Sequence, residues 1–369
     1  MELLENLIRA NSSEEFGEAQ AARVLSDFFK SQGIASELDL WDKNRANLVA
    51  HIKSNQKRKS LLFACHLDVV PAGDAVWNSS PFEPVQRDGK MFGRGAADMK
   101  GGIAAISIAA AEIVKSGVQL TGDIIIASTA GEEVDSCGMK KFIDKYNHLA
   151  SNLQGVIVPE PTGFDIITAH RGILWLEVTT HGKTAHGSMP HLGINAIEQM
   201  VKLLNELDGW QIPCEPDKLL GKCGFSVNCI EGGKATNVVP DSCSVKIDIR
   251  TLPTQSHREI IGLFQDKFEK LKHSDSRFDA EVKIIRESTG LLTDDNSEFV
   301  KNFCTVTEIA QTKAVGFTTD GPYLAGFGPV VIFGPGESGV CHQPNESIAL
   351  AALEKAVAYY KAIILNFLT

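Results

Sequence analysis

The sequence lacks both an apolar run long enough to cross a bilayer and a cluster of basic residues. The longest apolar candidate, "GIAAISIAAAEIV" (102–114), contains Glu112 and is shorter than the roughly 20 residues of a transmembrane helix. The chain has 36 Lys and Arg against 46 Asp and Glu, a net charge of −10, and its basic residues are scattered. We therefore expect no membrane span and no surface for nucleic acid or anionic lipid.

The 8 cysteines include no CxxC pair, and their spacings match no thiolate zinc site. Several stand within apolar strand-like runs, such as Cys65 in "LLFACH" and Cys229 in "FSVNCIE". Buried free thiols in a reducing compartment account for this usage. The beginning of the chain, "MELLENLIRANSSEEF", has neither a basic segment nor an apolar core. We therefore expect no signal peptide and a cytoplasmic protein.

The apolar pattern changes twice along the chain, which has 369 residues and so exceeds what one hydrophobic core usually serves. Both outer parts alternate helical patterns with continuous apolar runs, the signature of parallel strands buried on both faces. The middle part has period-two runs such as "ILWLEVTT", which indicate antiparallel strands with one wet face. We predict an α/β domain over 1–170 and 288–369 with an inserted α+β sandwich over 171–287. The polar "KSNQKRKS" (53–60) predicts a hairpin between two of the outer strands.

Acids and histidines follow the buried runs of the outer parts. In open α/β sheets, ligands bind beyond the carboxyl ends of the strands, so these side chains should converge. The expected cluster contains His66, Asp98, Glu132, Glu133, Glu160 and His342. Each residue alone has a simpler explanation, for example a hydrogen-bonded His66, a helix cap at Asp98 or a solvated Glu133.

A cluster of this composition would be unstable without cations, because its carboxylates would raise one another's pKa values. Two divalent ions would balance Asp98, Glu133 and Glu160 and leave one positive charge for a bound hydroxide. Imidazole and carboxylate ligands without thiolate suit Zn²⁺, Co²⁺ or Mn²⁺. Asp98, alone between the strand ends, is the candidate bridge between the ions. Asp68 lies on the same side of the chain as His66 and can accept its second ring N–H.

The adjacent Glu132 and Glu133 point to opposite faces of an extended chain, so they cannot share one task. One of them would be held by a metal ion, and the other would remain free as a general base and proton donor. The spacing alone does not decide which glutamate has which role.

At these residues the sequence closely resembles the co-catalytic zinc amidohydrolase and metallopeptidase family of acetylornithine deacetylase, succinyl-diaminopimelate desuccinylase, aminoacylase and glutamate carboxypeptidase. The resemblance covers nearly the whole chain and rests on several motifs in family order: "HLDVVPAGD", "GRGAADMKGG", "GEE", "EPT", "HGKTAHGSMPHLGINAI", "TNVVPD", "DIRTLP" and "HQPNE". It implies a zinc exopeptidase-like fold, with a mixed, largely parallel sheet flanked by helices and an inserted lid and dimerisation domain.

The resemblance also implies a role for each site residue. One metal ion is held by His66 and Glu160, the other by Glu133 and His342, and Asp98 bridges them. Glu132 is the catalytic base, Asp68 supports His66, and a cis peptide follows Asp98. The substrate would be met by His186, which reaches the partner subunit's active site and stabilises the oxyanion, by Arg250 and Asn237 on the α-carboxylate side, and by Thr319 in "GFTTDGPYL".

We predict hydrolysis of the amide bond of a small N-acyl amino acid by a homodimer with two divalent ions, Zn²⁺ first among them. The motifs combine features of desuccinylases and acetylornithine deacetylases, so the acyl group stays open. A dipeptidase or carboxypeptidase is the alternative, and a non-catalytic metal-dependent binding protein is a further one. Simpler explanations also exist for two substrate residues, namely a surface salt bridge for Arg250 and a turn for Asn237.

Overall fold

In a computed structural model, which describes residues 1–56 and 58–369, the chain divides into two compact units. The first comprises residues 1–168, 293–313 and 319–369, and the second comprises residues 169–292 and 314–318. The predicted border at 287/288 falls inside the second unit, because a strand continues to Ser288 and a further short strand at Leu291–Leu292 pairs with residues 169–170. The predicted border therefore precedes the structural border, which follows residue 292.

Helices and strands occupy most of the described residues. The helices are α1 (Glu2–Arg9), α2 (Ala19–Ser31), α3 (Lys100–Ser116), α4 (Cys137–Tyr146), α5 (Ala196–Leu207), α6 (His257–Ser274), α7 (Glu298–Thr307), α8 (Gly321–Leu324) and α9 (Leu350–Leu368). The strands are β1 (Ser36–Trp41), β2 (Arg45–Ile52), β3 (Ser60–His66), β4 (Val85–Arg87), β5 (Lys90–Phe92), β6 (Ile124–Thr129), β7 (Leu153–Val158), β8 (Ile166–His170), β9 (Gly172–His181), β10 (Ala185–His186), β11 (Gly224–Gly232), β12 (Val238–Val239), β13 (Ser242–Thr251), β14 (Ala280–Ser288), β15 (Leu291–Leu292), β16 (Thr312–Val315), β17 (Val330–Ile332) and β18 (Ser347–Ala349).

The central sheet of the first unit has the strand order β1-β2-β6-β3-β7-β17-β8. Its middle strands β6, β3, β7 and β17 run parallel, whereas β1, β2 and β8 pair antiparallel at the sides. Every residue of β3 and β6 is buried, as expected for strands covered by helices on both faces. The predicted mixed, largely parallel sheet flanked by helices is confirmed.

The hairpin predicted between β2 and β3 is wrong. β2 pairs with β6, and β6 in turn pairs with β3, so β6 lies between the two strands. β3 is apolar on both faces and lies in the middle of the sheet, with β6 on one side and β7 on the other. A hairpin would have required β2 to take one of these two neighbouring positions. Lys57, within the predicted hairpin connection, lies outside the described residues.

Helices α3 and α9 pack on the central sheet and fix its strand ends. The ring of Tyr360 meets Phe63 of β3 edge to face, and its hydroxyl donates to the carbonyl oxygen of Phe333 at 3.0 Å. A Cβ at Gly102 would lie 2.2 Å from the carbonyl oxygen of Pro159, so only glycine lets α3 approach the end of β7 this closely. Among the described residues, no helix combines the length and apolarity that a bilayer crossing demands.

The second unit is an antiparallel sheet with strand order β11-β13-β9-β14, against which α5 and α6 pack. Alternate residues of β9, including Leu174, Leu176 and Val178, face the helices and are fully buried. Both helices begin at a side-chain cap, because Asn195 and Ser256 accept hydrogen bonds from backbone N–H groups of the first turn. This is the α+β composition predicted for the inserted part.

Candidate metal centre

Histidine and carboxylate side chains gather at one edge of the central sheet. The parallel strands β3, β6 and β7 end there, and the segment before α3 and the loop after β17 reach the same place. Three overlapping triplets have ligand atoms that all lie within 4.8 Å of one another. They are His66 with Asp98 and Glu160, Asp98 with Glu133 and His342, and His66 with Glu132 and Glu133.

The first triplet surrounds the ring of His66. Its Nε2 atom lies 3.1 Å from Oδ1 of Asp98 and 3.6 Å from Oε1 of Glu160. Both His66 and Glu160 are buried, so the three side chains are held by packing rather than by solvent-exposed contacts. This group offers one imidazole nitrogen and two carboxylates to an ion.

The second triplet surrounds the ring of His342 and shares Asp98 with the first. Nε2 of His342 lies 2.9 Å from Oε1 of Glu133 and 3.3 Å from Oδ2 of Asp98. Asp98 thus turns one oxygen to each histidine, the arrangement of a carboxylate that bridges two ions. The peptide bond between Asp98 and Met99 is cis, as the resemblance implied.

These donor sets fit divalent cations. Each triplet presents imidazole nitrogen and carboxylate oxygen at mutual distances that one ion could span, and neither contains a thiolate. A centre with one shared carboxylate and two separate imidazole–carboxylate pairs fits two ions rather than one. The donor types are compatible with zinc, cobalt and manganese alike.

The carboxylates of the centre outnumber its histidines, and the pKa values of both histidines and of Glu160 are raised. Hydrogen bonds to Asp98 and Glu133 raise the pKa of His342 to about 10. Burial opposes the charging of His66, but Glu160 and Asp98 outweigh it and raise the pKa of this ring well above its usual value. Burial raises the pKa of Glu160 to about 7. In the metal-free protein, the surrounding carboxylates therefore favour the protonated, positively charged form of both histidines.

Burial and neighbouring acids perturb the carboxyl group of Glu132. Desolvation raises the pKa of its carboxyl well above the usual value, and repulsion from Glu133 and Asp320 adds to the increase even though His66 opposes it. A carboxyl group with a raised pKa is a stronger proton acceptor than an ordinary one, which suits a general base. Both glutamates lie in the turn after β6 and before α4.

Asp68 contacts this turn in a way that the sequence did not indicate. Its carboxylate accepts hydrogen bonds from the backbone N–H groups of Gly131 (2.8 Å), Glu132 (3.1 Å) and Glu133 (3.0 Å). The ring Nδ1 of His66 meets the main-chain carbonyl oxygen of Asp68 at 3.0 Å, whereas the carboxylate lies 3.7 Å away. In this structure the main-chain carbonyl oxygen of Asp68, rather than its carboxylate, lies within hydrogen-bonding distance of the His66 ring, and support of the ring by the carboxylate stays a prediction.

The remaining predicted residues lie elsewhere in the chain. Thr319 belongs to the first unit, where it is buried and its hydroxyl accepts from the N–H of Gly321 at 3.0 Å. The other three belong to the second unit. His186 and Asn237 lie close together there, because β10 pairs with β12 and the N–H of Gly187 donates to the carbonyl oxygen of Asn237 at 2.8 Å.

Arg250 of β13 forms an ion pair with Asp248, with Nε and Oδ1 2.9 Å apart. This is the simpler of the two explanations that the sequence left open for Arg250. Its guanidinium is half-exposed, so the pair does not bar it from a further anion.

Comparison with known proteins gives a consistent result. The model of a family described as Peptidase family M20/M25/M40 matches residues 62–366. A "Probable succinyl-diaminopimelate desuccinylase" of Staphylococcus epidermidis is 30% identical over 403 residues, covering 99% of this chain and 97% of that protein. An "Acetylornithine deacetylase" of Myxococcus xanthus is 30% identical over 333 residues, covering 86% of this chain and 84% of that protein.

A solved structure supports the fold independently. An M20 family metallo-carboxypeptidase from Sulfolobus solfataricus matches with a TM-score of 0.79 over 98% of this chain and 97% of that one. The two sequences are 20% identical, so the likeness concerns the architecture alone. It extends over both units of the chain.

Proposed function

Because the chain belongs to peptidase family M20/M25/M40, we propose that it is a metal-dependent hydrolase of the amide bond in an N-acyl amino acid. The family predicted from the motifs is thereby confirmed. The observation that carries the proposal is the position of Asp98, whose two oxygens face His66 and His342. The names of the two 30% identical relatives, a desuccinylase and a deacetylase, support an acyl amino acid as substrate.

We assign the ions to the two triplets that share Asp98. His66 and Glu160 would complete one site, and Glu133 and His342 the other, with Zn²⁺ as the first choice and Co²⁺ or Mn²⁺ as alternatives. When bound, such ions polarise a carbonyl group and lower the pKa of water toward ~7. The side chains of the protein supply the remaining steps.

Glu132 is the proposed base. It takes a proton from the attacking water as the new C–O bond forms, and it gives that proton to the amine nitrogen as the C–N bond breaks. The second proton of the water leaves the new carboxylic acid and is taken up by the amino group. The products are therefore a carboxylate and an amino acid with an ammonium group, and Glu132 returns to its starting state. Its raised pKa makes the carboxylate a stronger acceptor for the first of these transfers.

The substrate residues complete the proposal. His186 would donate to the developing oxyanion in the active site of a partner subunit, an interaction usually worth several kcal/mol. Arg250 and Asn237 would bind the α-carboxylate side of the substrate, and Thr319 would contact it from the first unit. A substrate carboxylate would compete with Asp248 for the guanidinium of Arg250.

We also propose a homodimer that forms through the second unit. β11 is an edge strand of the four-stranded sheet and exposes Val227 and Ile230, and helix α5 exposes Ile197 and Val201. An edge strand and a helix face that both expose apolar side chains can pack against the same surface of a second copy of the chain. The cytoplasm is the proposed compartment, supported by the 8 free cysteines.

A substrate panel tests the proposed reaction. Zinc- and cobalt-loaded protein would be assayed with N-acetylornithine, N-succinyl-diaminopimelate, and dipeptides of matched amino acids. We expect an acyl amino acid to have the highest kcat/KM. Turnover of dipeptides alone would favour the dipeptidase or carboxypeptidase alternative, and metal binding without any turnover would favour a binding protein.

A further inference from the structure

A buried ion pair lies next to the candidate metal centre, and neither of its residues belongs to a triplet of that centre. Nη1 of Arg94 donates to Oε2 of Glu346 at 2.6 Å, and the two residues are only 2% and 1% exposed. Arg94 follows β5 and Glu346 precedes β18, and these strands pair with Ser347 opposite Phe92. A short piece of sheet therefore fixes the ion pair at its base.

The second oxygen of Glu346 holds the backbone that carries the shared carboxylate of the centre. Oε1 accepts hydrogen bonds from the N–H groups of Ala97 at 2.9 Å and Asp98 at 3.1 Å. Hydrogen bonds to an ionised carboxylate are roughly twice as strong as neutral ones. Removal of Glu346 would therefore release the backbone of Asp98 at this point.

Arg94 extends the same network to the loop that carries His342. Its Nη1 also donates to the carbonyl oxygen of Gln343 at 3.3 Å, and its Nη2 donates to that of Pro71 at 3.3 Å. The guanidinium lies 5.1 Å from the ring centroid of Trp77, a cation–π distance. Gln343 directly follows His342, whose φ of 63° is a conformation that residues with side chains rarely adopt.

We propose that the Arg94–Glu346 pair is a positioning device that sets the placement of Asp98 relative to His342. It thereby tunes the affinity of the metal site formed by Asp98, Glu133 and His342. This inference rests on the proposed function, because it requires a centre that binds two ions. The other site shares only Asp98 with the network, since His66 ends β3 and Glu160 follows β7.

The proposal differs from a purely stabilising ion pair in one measurable respect. Breaking a buried ion pair destabilises a fold because a charge remains unpaired. Such destabilisation would act on both metal sites or on neither. A positioning role predicts instead that the site with His342 loses more affinity than the site with His66 and Glu160. The network holds both Asp98 and the loop of His342, but it reaches the other site only through Asp98.

The test is a zinc titration of the metal-free full-length protein by calorimetry, with the visible absorption of Co²⁺ as a second readout. Glu346→Gln keeps the shape but removes the charge, and Arg94→Lys keeps the charge but loses the planar fork. We expect wild type to bind two ions. In each variant, we expect the ion at the site with His342 to bind about 10–100-fold more weakly, and the ion at the site with His66 and Glu160 to lose clearly less affinity.

Glu112→Gln is the matched control, because it removes an exposed ion pair with Lys361 at 2.7 Å and should leave both affinities unchanged. Thermal unfolding of each metal-free variant shows whether it is folded. Glu346→Asp replaces Glu346→Gln if the latter does not fold, since the shorter acid cannot span both sets of partners.

The outcomes separate the inference from the proposed function. Unchanged affinities, or equal losses at both sites in folded variants, overturn the positioning role alone. Failure of every variant to fold assigns the pair to stability and overturns it as well. A wild-type protein that does not bind two ions overturns the proposed function and this inference together.

Discussion

The carboxylate of Asp68 accepts a hydrogen bond from the backbone N–H of Glu133 at 3.0 Å, and those of Glu132 and Gly131 donate to it as well. Asp68, two residues after His66, thus anchors the turn that carries the proposed base and a proposed metal ligand. The relationship links the ends of the neighbouring strands β3 and β6 through side chain and main chain. It gives Asp68 a role in placing Glu132.

Asp68→Asn tests this role. An asparagine side chain has one acceptor oxygen, so it cannot satisfy three backbone donors that the carboxylate now shares between two oxygens. We expect kcat to fall about tenfold to a hundredfold, with both ions retained. Steady-state kinetics and elemental analysis measure the two effects. Asp165→Asn, which breaks the exposed pair with Lys313, is the control, and a wild-type kcat in Asp68→Asn would contradict the anchor.

Local patterns in the sequence indicate the central strands and the side chains at their ends. β3 and β6 are continuous apolar runs, and such runs are typical of strands buried on both faces. Because parallel strands end at one edge of the sheet, the meeting of His66 with Glu133 follows from strand type alone. The order of strands does not, since the apolar pattern of β2 and β3 leaves open whether β6 lies between them.

The long-range partners of the centre could not be predicted. Arg94 and Glu346 are 252 positions apart, and each stands in a segment rich in glycine or polar residues. Charged residues in such segments are usually solvated, so nothing local indicates that these two are buried together. The three backbone hydrogen bonds to Asp68 could not be predicted either, because the type of a residue does not show where its main-chain N–H donates.

Glu132→Gln tests the base. Glutamine has nearly the same shape but cannot take a proton from water, so we expect kcat to fall by about 10²–10⁴. Metal content and KM should stay near wild type, because Glu132 is not assigned to either ion. Rapid assay of the fully loaded variant measures the change, and turnover near that of wild type would remove Glu132 from its role.

Glu133→Gln should have a different effect. An amide is a poorer metal ligand than a carboxylate, and it removes the negative charge that faces the ring of His342 at 2.9 Å. We expect occupancy of one metal ion to drop after dialysis against metal-free buffer, while the second ion remains. Elemental analysis beside Glu132→Gln compares the two acids directly. Full occupancy in Glu133→Gln together with loss in Glu132→Gln would mean that the two roles are exchanged.

Arg250→Ala tests recognition of the substrate carboxylate. Loss of a charge-assisted hydrogen bond should raise KM about tenfold to a hundredfold and change kcat little. Asp248→Asn is the companion variant, because it removes the ion-pair partner and leaves the guanidinium in place. We expect Asp248→Asn to affect KM far less than Arg250→Ala. Equal KM values for wild type and Arg250→Ala would restrict Arg250 to its ion pair.

Proton release should accompany metal binding. Neighbouring carboxylates raise the pKa of His342 to about 10, and the pKa of His66 is also raised well above its usual value. Below its pKa an imidazole keeps its proton, so near pH 7 the ring of His342 is protonated in the metal-free protein, and the raised pKa of His66 favours its protonated form as well. A metal ion binds only the neutral ring and must expel these protons.

Affinity for zinc should therefore rise as the pH increases from 7 toward 10 and fall as the pH decreases. The stability that the ion pairs contribute to the metal-free protein should follow the opposite trend. Those pairs contribute stability at low pH and lose it as the pH passes through about 10, where His342 becomes neutral. Calorimetric titration in buffers of different ionisation enthalpy counts the protons. A His342→Gln variant should release fewer protons than wild type. A proton count of zero in the wild type would mean that both rings are already neutral before the metal binds.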